Sequence, residues 1–297
     1  MTKIVAAVDG SASALNAAVW AAAEAEHRGD TLRLVHTYAV PERGYPGFLA
    51  TFPEIREGMR HQGGQWLREA ESAVREAAPG VRVETELVEG ETVGALLAES
   101  RQARMMVLGS RGLGGFTGML VGSVAVALAT HGISPVVVVR GKRPEDPPPT
   151  EGPVVVGLDG SADSDAALTF AFEAASARGV PLVAVHTWTD VTFDGAVRTL
   201  SLSADPAEVG KEEQALLEQQ LGPVREKFPD VAVEPVVVRG RPVRTLLERG
   251  EQAQLIVVGS RGRGGFKGML LGSTSQALVI HAPCPVAVVR PTEPGTS

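Results

Sequence analysis

Two stretches of this chain carry residue types spaced for holding a phosphate. The first is Gly109-Ser110-Arg111-Gly112, followed after nine residues by Gly122-Ser123; the second is Gly259-Ser260-Arg261-Gly262, followed after nine residues by Gly272-Ser273. Glycine lets backbone N–H groups approach an anion with no Cβ in the way, and a serine opening a helix adds a hydroxyl beside free N–H groups at the positive end of the helix dipole. A plainer account of either loop is a tight turn followed by Ser123 or Ser273 as an ordinary helix N-cap. Two loops with the same spacing and the same arginine favour the phosphate cradle. Other phosphate motifs are absent: no glycine-rich loop ends in Gly-Lys-Ser/Thr, and Gly112-Leu113-Gly114 lacks the spacing of a dinucleotide fingerprint. Nor is there a Gly-Gly-x-Asp-Ser loop after the first strand-like run, where the residues are Asp9-Gly10-Ser11-Ala12-Ser13 and Asp159-Gly160-Ser161-Ala162-Asp163.

The loops recur because the whole chain repeats. Val8-Asp9-Gly10-Ser11 returns as Leu158-Asp159-Gly160-Ser161 and His36-Thr37 as His186-Thr187, at an offset of 150 residues. The same offset lays Val107 to Val124 on Val257 to Thr274 with 13 of 18 residues identical. So long a period marks duplication of a domain, since solenoid units repeat every ~20–50 residues. The reading is residues 1–141 as domain 1, a proline-rich extended linker at 142–152, and residues 153–297 as domain 2.

Within each copy, β-branched runs alternate with longer Ala/Glu/Arg-rich segments, the pattern of βα units on a parallel sheet. In the first copy strands are expected at Ile4–Val8, Thr31–His36, Val81–Val88, Arg104–Leu108 and Val136–Val139. Helices fall between them at Ser13–Arg28, Glu54–Ala77, Thr92–Arg101 and Ser123–His131. The predicted fold class is α/β: two tandem doubly wound, Rossmann-like domains, each with a five-stranded parallel sheet flanked by helices. A ligand belongs beyond the carboxyl ends of the strands, where strand order reverses.

Composition narrows the function classes. A formal charge of −7 disfavours nonspecific attraction to nucleic acid or an anionic membrane surface, so any anion site has to be local. One cysteine, Cys284, in an apolar run, excludes a disulfide framework and a cysteine metal cluster. The start of the chain enters a strand pattern at once and no stretch reaches ~18 apolar residues, so a cytoplasmic protein without a membrane span is expected. The six histidines form no cluster: His36 and His186 are placed at the ends of the second strands, His131 and His281 at the ends of the last helices, all as structural residues. Trp20 and Trp66 read as packing residues, and Trp188 as packing or as a border of the second pocket. Asp-Gly-Ser is strong turn chemistry, so Asp9 and Asp159 also fit an Asx turn or helix N-cap.

An Asp at the end of strand one with Gly-x2-Gly-x9-Gly-Ser after strand four, found twice, resembles the universal stress protein family in its ATP-binding, tandem-domain form. The resemblance spans nearly the whole chain. It implies one ATP per domain, with Mg2+, and adenine packed near the ends of strands one, two and four. Matched position by position, it puts Asp9 and Asp159 on the nucleotide and Ala7 and Gly157 on the adenine side. Phosphates fall to the loop Gly109, Ser110, Arg111, Gly112, Leu113, Gly114 and Gly115 with the helix start Gly122, Ser123 and Val124. In the second copy they fall to Gly259, Ser260, Arg261, Gly262, Arg263, Gly264 and Gly265 with Gly272, Ser273 and Thr274. Val40 supplies the apolar contact after strand two, but its counterpart is Asp190, a departure from the family pattern at the second base site.

The function so implied is a cytoplasmic, ATP-responsive regulator of stress response or growth, acting through a regulatory protein partner. The alternative is a slow ATPase or phosphotransferase, for which Asp9 and Asp159 are the only evident metal-side carboxylates. Apolar last strands, Val136–Val139 and Val286–Val289, suggest edge pairing as a homodimer or an intrachain pseudo-dimer. The second loop also carries Arg263 and Lys267 where the first has Leu113 and Thr117, which points to tighter phosphate binding there.

Overall fold

A computed structural model describes residues 2–40, 52–113, 121–143, 145–188, 206–263 and 270–291 of the chain. Contacts divide it into two compact units, Met1–Pro148 and Pro149–Ser297. The first unit runs β1 (Lys3–Ala7), α1 (Ala12–Arg28), β2 (Thr31–Tyr38), α2 (Phe52–Ala77), β3 (Arg82–Glu89), α3 (Thr92–Ser100), β4 (Ala103–Gly109), α4 (Ser123–His131) and β5 (Val136–Val139). The second runs β6 (Val154–Leu158), α5 (Ala162–Arg178), β7 (Leu182–Trp188), α6 (Pro206–Arg225), β8 (Val233–Arg239), α7 (Pro242–Gly250), β9 (Leu255–Gly259), α8 (Ser273–His281) and β10 (Val286–Val289). Within the units the strand orders are β3-β2-β1-β4-β5 and β8-β7-β6-β9-β10, and the strands pair in parallel. The α/β doubly wound reading therefore holds in both copies. Helix α1 packs with α2 and α3 with α4 on the first sheet. Strand order reverses between β1 and β4, and between β6 and β9, so each unit has one crevice at its switch point.

Ile4, Val5 and Ala6 on β1 and Met105, Met106 and Val107 on β4 are almost wholly buried, as strands covered on both faces should be. Outer strand β3 instead alternates between exposed and partly covered residues. Helix α1 lays Ala14, Ala17, Ala18, Ala21, Ala22 and Ala25 on the sheet, a stripe at three- and four-residue spacing whose small side chains allow close approach. Ser11 caps its start by accepting the Ala14 N–H, and Gly29 ends it in the left-handed region at φ 66. Helix α5 repeats both devices with Ser161 and Gly179.

One expectation needs correction. Strands β2 and β7 run on to Tyr38 and Trp188, so His36 and His186 lie inside strands rather than at their ends. The reason is the pairing with β3 and β8, which continues to Tyr38↔Glu89 and Trp188↔Arg239. The segment expected as an extended linker also makes specific contacts within each unit. The Asp146 N–H donates to the Arg143 carbonyl at 3.1 Å, the Asn16 amide donates to the Glu145 carbonyl, and the Gln254 amide donates to the Gly152 carbonyl. Among the described residues no helix is long and apolar enough to cross a membrane.

Backbone approaches backbone closely where α1 crosses the end of β4. A Cβ on Gly109 would come within 2.6 Å of the Ser13 backbone carbon, and one on Gly259 within 2.8 Å of the Asp163 backbone carbon. Backbone cannot yield as a flexible side chain can, so Gly109→Ala should cost roughly 1–3 kcal/mol of unfolding free energy. Chemical denaturation checks this; an unchanged midpoint would mean that the approach of α1 to β4 is not needed.

Candidate functional site

The site begins with a carboxylate. Asp9 follows β1, and its Oδ1 accepts the Ser11 N–H at 3.0 Å and the Ser11 hydroxyl at 2.6 Å, an Asx turn that starts α1. Its Oδ2 reaches across to accept the Leu113 N–H at 3.1 Å. Asp159 does the same with Ser161, at 3.0 and 2.7 Å, and with the Arg263 N–H at 2.8 Å. Each carboxylate thus fastens the end of the first strand to the loop after the fourth. The turn also sets two glycines: Gly10 and Gly160 take φ 84 and 73, and a Cβ on Gly112 or Gly262 would collide with Oδ2 of Asp9 or Asp159. The N-caps themselves are Ser11 and Ser161, not the aspartates.

The far end of the loop is closed by backbone. The Gly122 N–H donates to the Ser110 carbonyl at 2.7 Å, and the Gly272 N–H donates to the Ser260 carbonyl at 2.7 Å. The N-cap of α4 is Gly122 and that of α8 is Gly272, neither with a side-chain cap bond. Ser123 and Ser273 are therefore first helical residues rather than N-caps. The contrast with α1 and α3 is informative, since Ser11 and Glu91 cap those helices with their side chains. The opening N–H groups of α4 and α8 are left as donors at the positive end of each helix. Gly122 has φ −72, which any residue adopts, and a Cβ there would come no nearer than 3.7 Å to its surroundings. Among the described residues nothing inside the fold requires glycine at this position, unlike Gly10, Gly109 and Gly112.

A cavity of about 420 Å³ opens between these parts in the first unit. It is lined by Ala7, Asp9, Gly109, Arg111, Gly112, Gly122, Ser123 and Val124 from the expected set. The second unit has one of about 450 Å³ lined by Gly157, Asp159, Gly259, Arg261, Gly262, Arg263, Gly272, Ser273 and Thr274. Ser110 and Ser260 are completely buried and support the loops from behind. Leu113 is 59% exposed and Val40 partly exposed, and neither lines the cavity. Gly114, Gly115, Thr117, Asp190, Gly264, Gly265 and Lys267 lie outside the described residues. Trp188 does not line the second cavity; the Arg239 guanidinium stands 5.8 Å from its ring centre.

Sequence reasoning missed the apolar end of each cavity. Val35 and Thr37 on β2, Thr92 and Leu96 on α3, and Leu108 on β4 line the first. Val185, Thr187, Pro242, Leu246 and Val258 are their counterparts. The available signal was position: these residues sit at strand ends and on the helix that follows β3. His36 also lines the first cavity, with Nδ1 2.7 Å from the Val8 carbonyl and its ring edge-on to Trp66 at 5.1 Å. His186 is tied down on both sides, by the Leu158 carbonyl at 2.9 Å and Glu213 at 2.8 Å.

The two sites differ in charge by more than their loops. Ser13 in the first copy accepts the Arg111 N–H at 3.3 Å. Its counterpart Asp163 accepts the Ser260 hydroxyl at 2.7 Å and the Arg261 N–H at 3.0 Å, and stands 3.5 Å from the Arg261 guanidinium. Burial, then repulsion from Arg261, holds the Arg290 guanidinium below its ordinary pKa, with Asp163 pulling the other way. A buried carboxylate therefore accompanies the extra cation of the second loop, which the loop sequence alone did not reveal. At the α3 start, N–H donation from Gly94 and then Val93 holds the Glu91 carboxyl below the usual range; α7 has Arg241 there and no side-chain cap. Among the described residues, no group of three or more His, Cys, Asp or Glu side chains could hold a metal ion.

The Universal stress protein family profile matches residues 1–140 and 152–290. The chain is 40% identical over 310 residues to universal stress protein Rv1996 of Mycobacterium tuberculosis, covering 98% of this chain and 96% of that protein. It is 39% identical over 297 residues to universal stress protein Rv2623 of the same organism, covering 97% and 96%. A solved universal stress protein from Archaeoglobus fulgidus matches with a TM-score of 0.70 at 19% identity, over 97% of this chain and 98% of that one, a likeness of fold.

If the Asp9 carboxylate holds the loop, Asp9→Ala should release the Leu113 amide and raise its hydrogen-exchange rate about tenfold, for a loss of about 1–2 kcal/mol of local stability. Exchange at the Arg263 amide in the other copy should not change. Equal exchange at Leu113 in variant and parent would contradict the cross-link.

Proposed function

The chain belongs to the universal stress protein family, and we propose that each of its two copies binds one ATP with Mg2+, making the protein a cytoplasmic, nucleotide-responsive regulator of stress response or growth. The observation that carries this reading is the pair Gly122 and Gly272. Each sits at the uncapped start of a helix that faces a cavity, and at Gly122 the fold itself makes no demand for glycine. A glycine kept bare by an outside group is what a phosphate against helix N–H donors needs. The apolar end, with Val35, Leu96 and Leu108 in the first copy and Val185, Leu246 and Val258 in the second, suits the faces of a purine. Ala7 and Gly157 flank that end, while Arg111, Ser123 and Arg261, Ser273 flank the phosphate end.

The chemistry of the donor set fits a triphosphate better than a resident metal. Asp9 and Asp159 already accept three hydrogen bonds each, so Mg2+ is carried chiefly by phosphate oxygens and water, as is usual for this ion. The same bonds argue for binding over catalysis. Fast phosphoryl transfer needs a group that orients the attacking water or acceptor, and these carboxylates are spent on Ser11, Leu113, Ser161 and Arg263. Turnover is therefore slow and the bound nucleotide is the signal, read by a regulatory protein.

Calorimetry on the full chain is expected to give two ATP per chain in the presence of Mg2+. Gly122→Leu should abolish one site and Gly272→Leu the other. At Gly122 the thermal midpoint should move little, because the substituted side chain enters the cavity rather than the core. Failure of the parent chain to bind ATP, or two intact sites in either variant, would overturn the reading.

A further inference from the structure

The base end of the two cavities differs by one hydroxyl. In the first copy Thr37 on β2 and Thr92 at the start of α3 both line the cavity, and the Thr37 hydroxyl donates to the Thr92 hydroxyl at 3.0 Å. That bond closes the Thr37 side chain onto the protein. In the second copy the residue matching Thr92 is Pro242, the first residue of α7, whose ring offers no hydrogen-bonding group. Thr187, which matches Thr37, still lines its cavity beside Val185 and Leu246. Among the described residues its hydroxyl has no hydrogen-bond partner.

We infer that Thr187 is a ligand-contacting, specificity-determining residue of the second site, whose hydroxyl reads a polar edge of the bound nucleoside, whereas the matching Thr37 hydroxyl of the first site commits its proton to Thr92. This rests on the nucleotide reading above. A hydroxyl in an apolar recess is costly unless it finds a partner, and it can serve as donor or acceptor. Thr187 lies on β7, with β6 between it and β9, the strand that leads into Arg261 and on to Ser273, so the partner is the nucleoside rather than the phosphates. Two copies that share the loop closure and the helix start thus come to differ in what they recognise, the second rewarding a polar group matched to a free hydroxyl.

The test uses the full chain with one site silenced at a time, Gly122→Leu to observe the second site and Gly272→Leu to observe the first. Thr187→Val should weaken ATP at the second site about three- to tenfold, the worth of one neutral hydrogen bond. Thr37→Val should weaken the first site less than Thr187→Val weakens the second, since the Thr37 proton is already committed to Thr92. Competition by inorganic tripolyphosphate should be the same for Thr187→Val and its parent, because the hydroxyl does not touch phosphate. Converting Pro242→Thr should reproduce part of the Thr187→Val loss by rebuilding the bond seen in the first copy. Equal effects of Thr37→Val and Thr187→Val, or equal losses for ATP and tripolyphosphate, would overturn the inference while leaving nucleotide binding intact. Absence of ATP binding in the parent chain would instead overturn the nucleotide reading and this inference with it.

Discussion

The carboxylate after the first strand of each copy is the constraint from which the site follows. A parallel sheet brings β1 and β4 side by side but leaves their trailing loops free to diverge, because crossovers depart to opposite faces at the switch point. Asp9 prevents this by accepting from Ser11 on one side and Leu113 on the other. Once the loop is held there, its far end returns through the Gly122 to Ser110 hydrogen bond, and α4 must start with its N–H donors facing the crevice. Asp159 imposes the same geometry on the second copy. The aspartate is thus chiefly a builder of the loop beside the cavity.

The glycines around this carboxylate answer to different masters. Gly10 needs its positive φ, Gly109 makes room for the backbone of α1, and Gly112 makes room for the Asp9 oxygen. Gly122 answers to none of these. A motif of three glycines and a serine therefore holds two glycines that packing requires and one that it does not, a difference the sequence does not display.

Much of the fold was legible because its signals are local. Apolar runs at Ile4–Val8 and Val136–Val139, the alanine stripe of α1 and the Gly-Ser pairs before α4 and α8 gave the elements, and the 150-residue offset gave their duplication. What stayed hidden depends on partners distant in sequence. Nothing near His36 tells that β3 carries β2 on to Tyr38, or that the Val8 carbonyl holds the ring. Val40 is expected as an apolar contact by position, while the residues that line the cavity there are Val35, Thr37, Leu96 and Leu108. Asp163 reads as a helix residue, and only the fold sets its carboxylate behind Arg261. Counting cations in the second loop was for that reason an incomplete guide to its field.

The copies diverge around the cradle as they do elsewhere in the chain, while the cradle itself is retained. Ser13 has become Asp163, Glu91 has become Arg241 and Thr92 has become Pro242, but both aspartates, both loop closures and both uncapped helix starts remain. The central claim is that phosphates rest on those helix starts. Amide hydrogen exchange of the full chain, with saturating ATP and separately with adenosine, addresses it directly. The account predicts that ATP, and not adenosine, slows exchange at Ser123 to Ala125 and at Ser273 to Ser275. Saturated ATP binding that leaves these amides unchanged would contradict it.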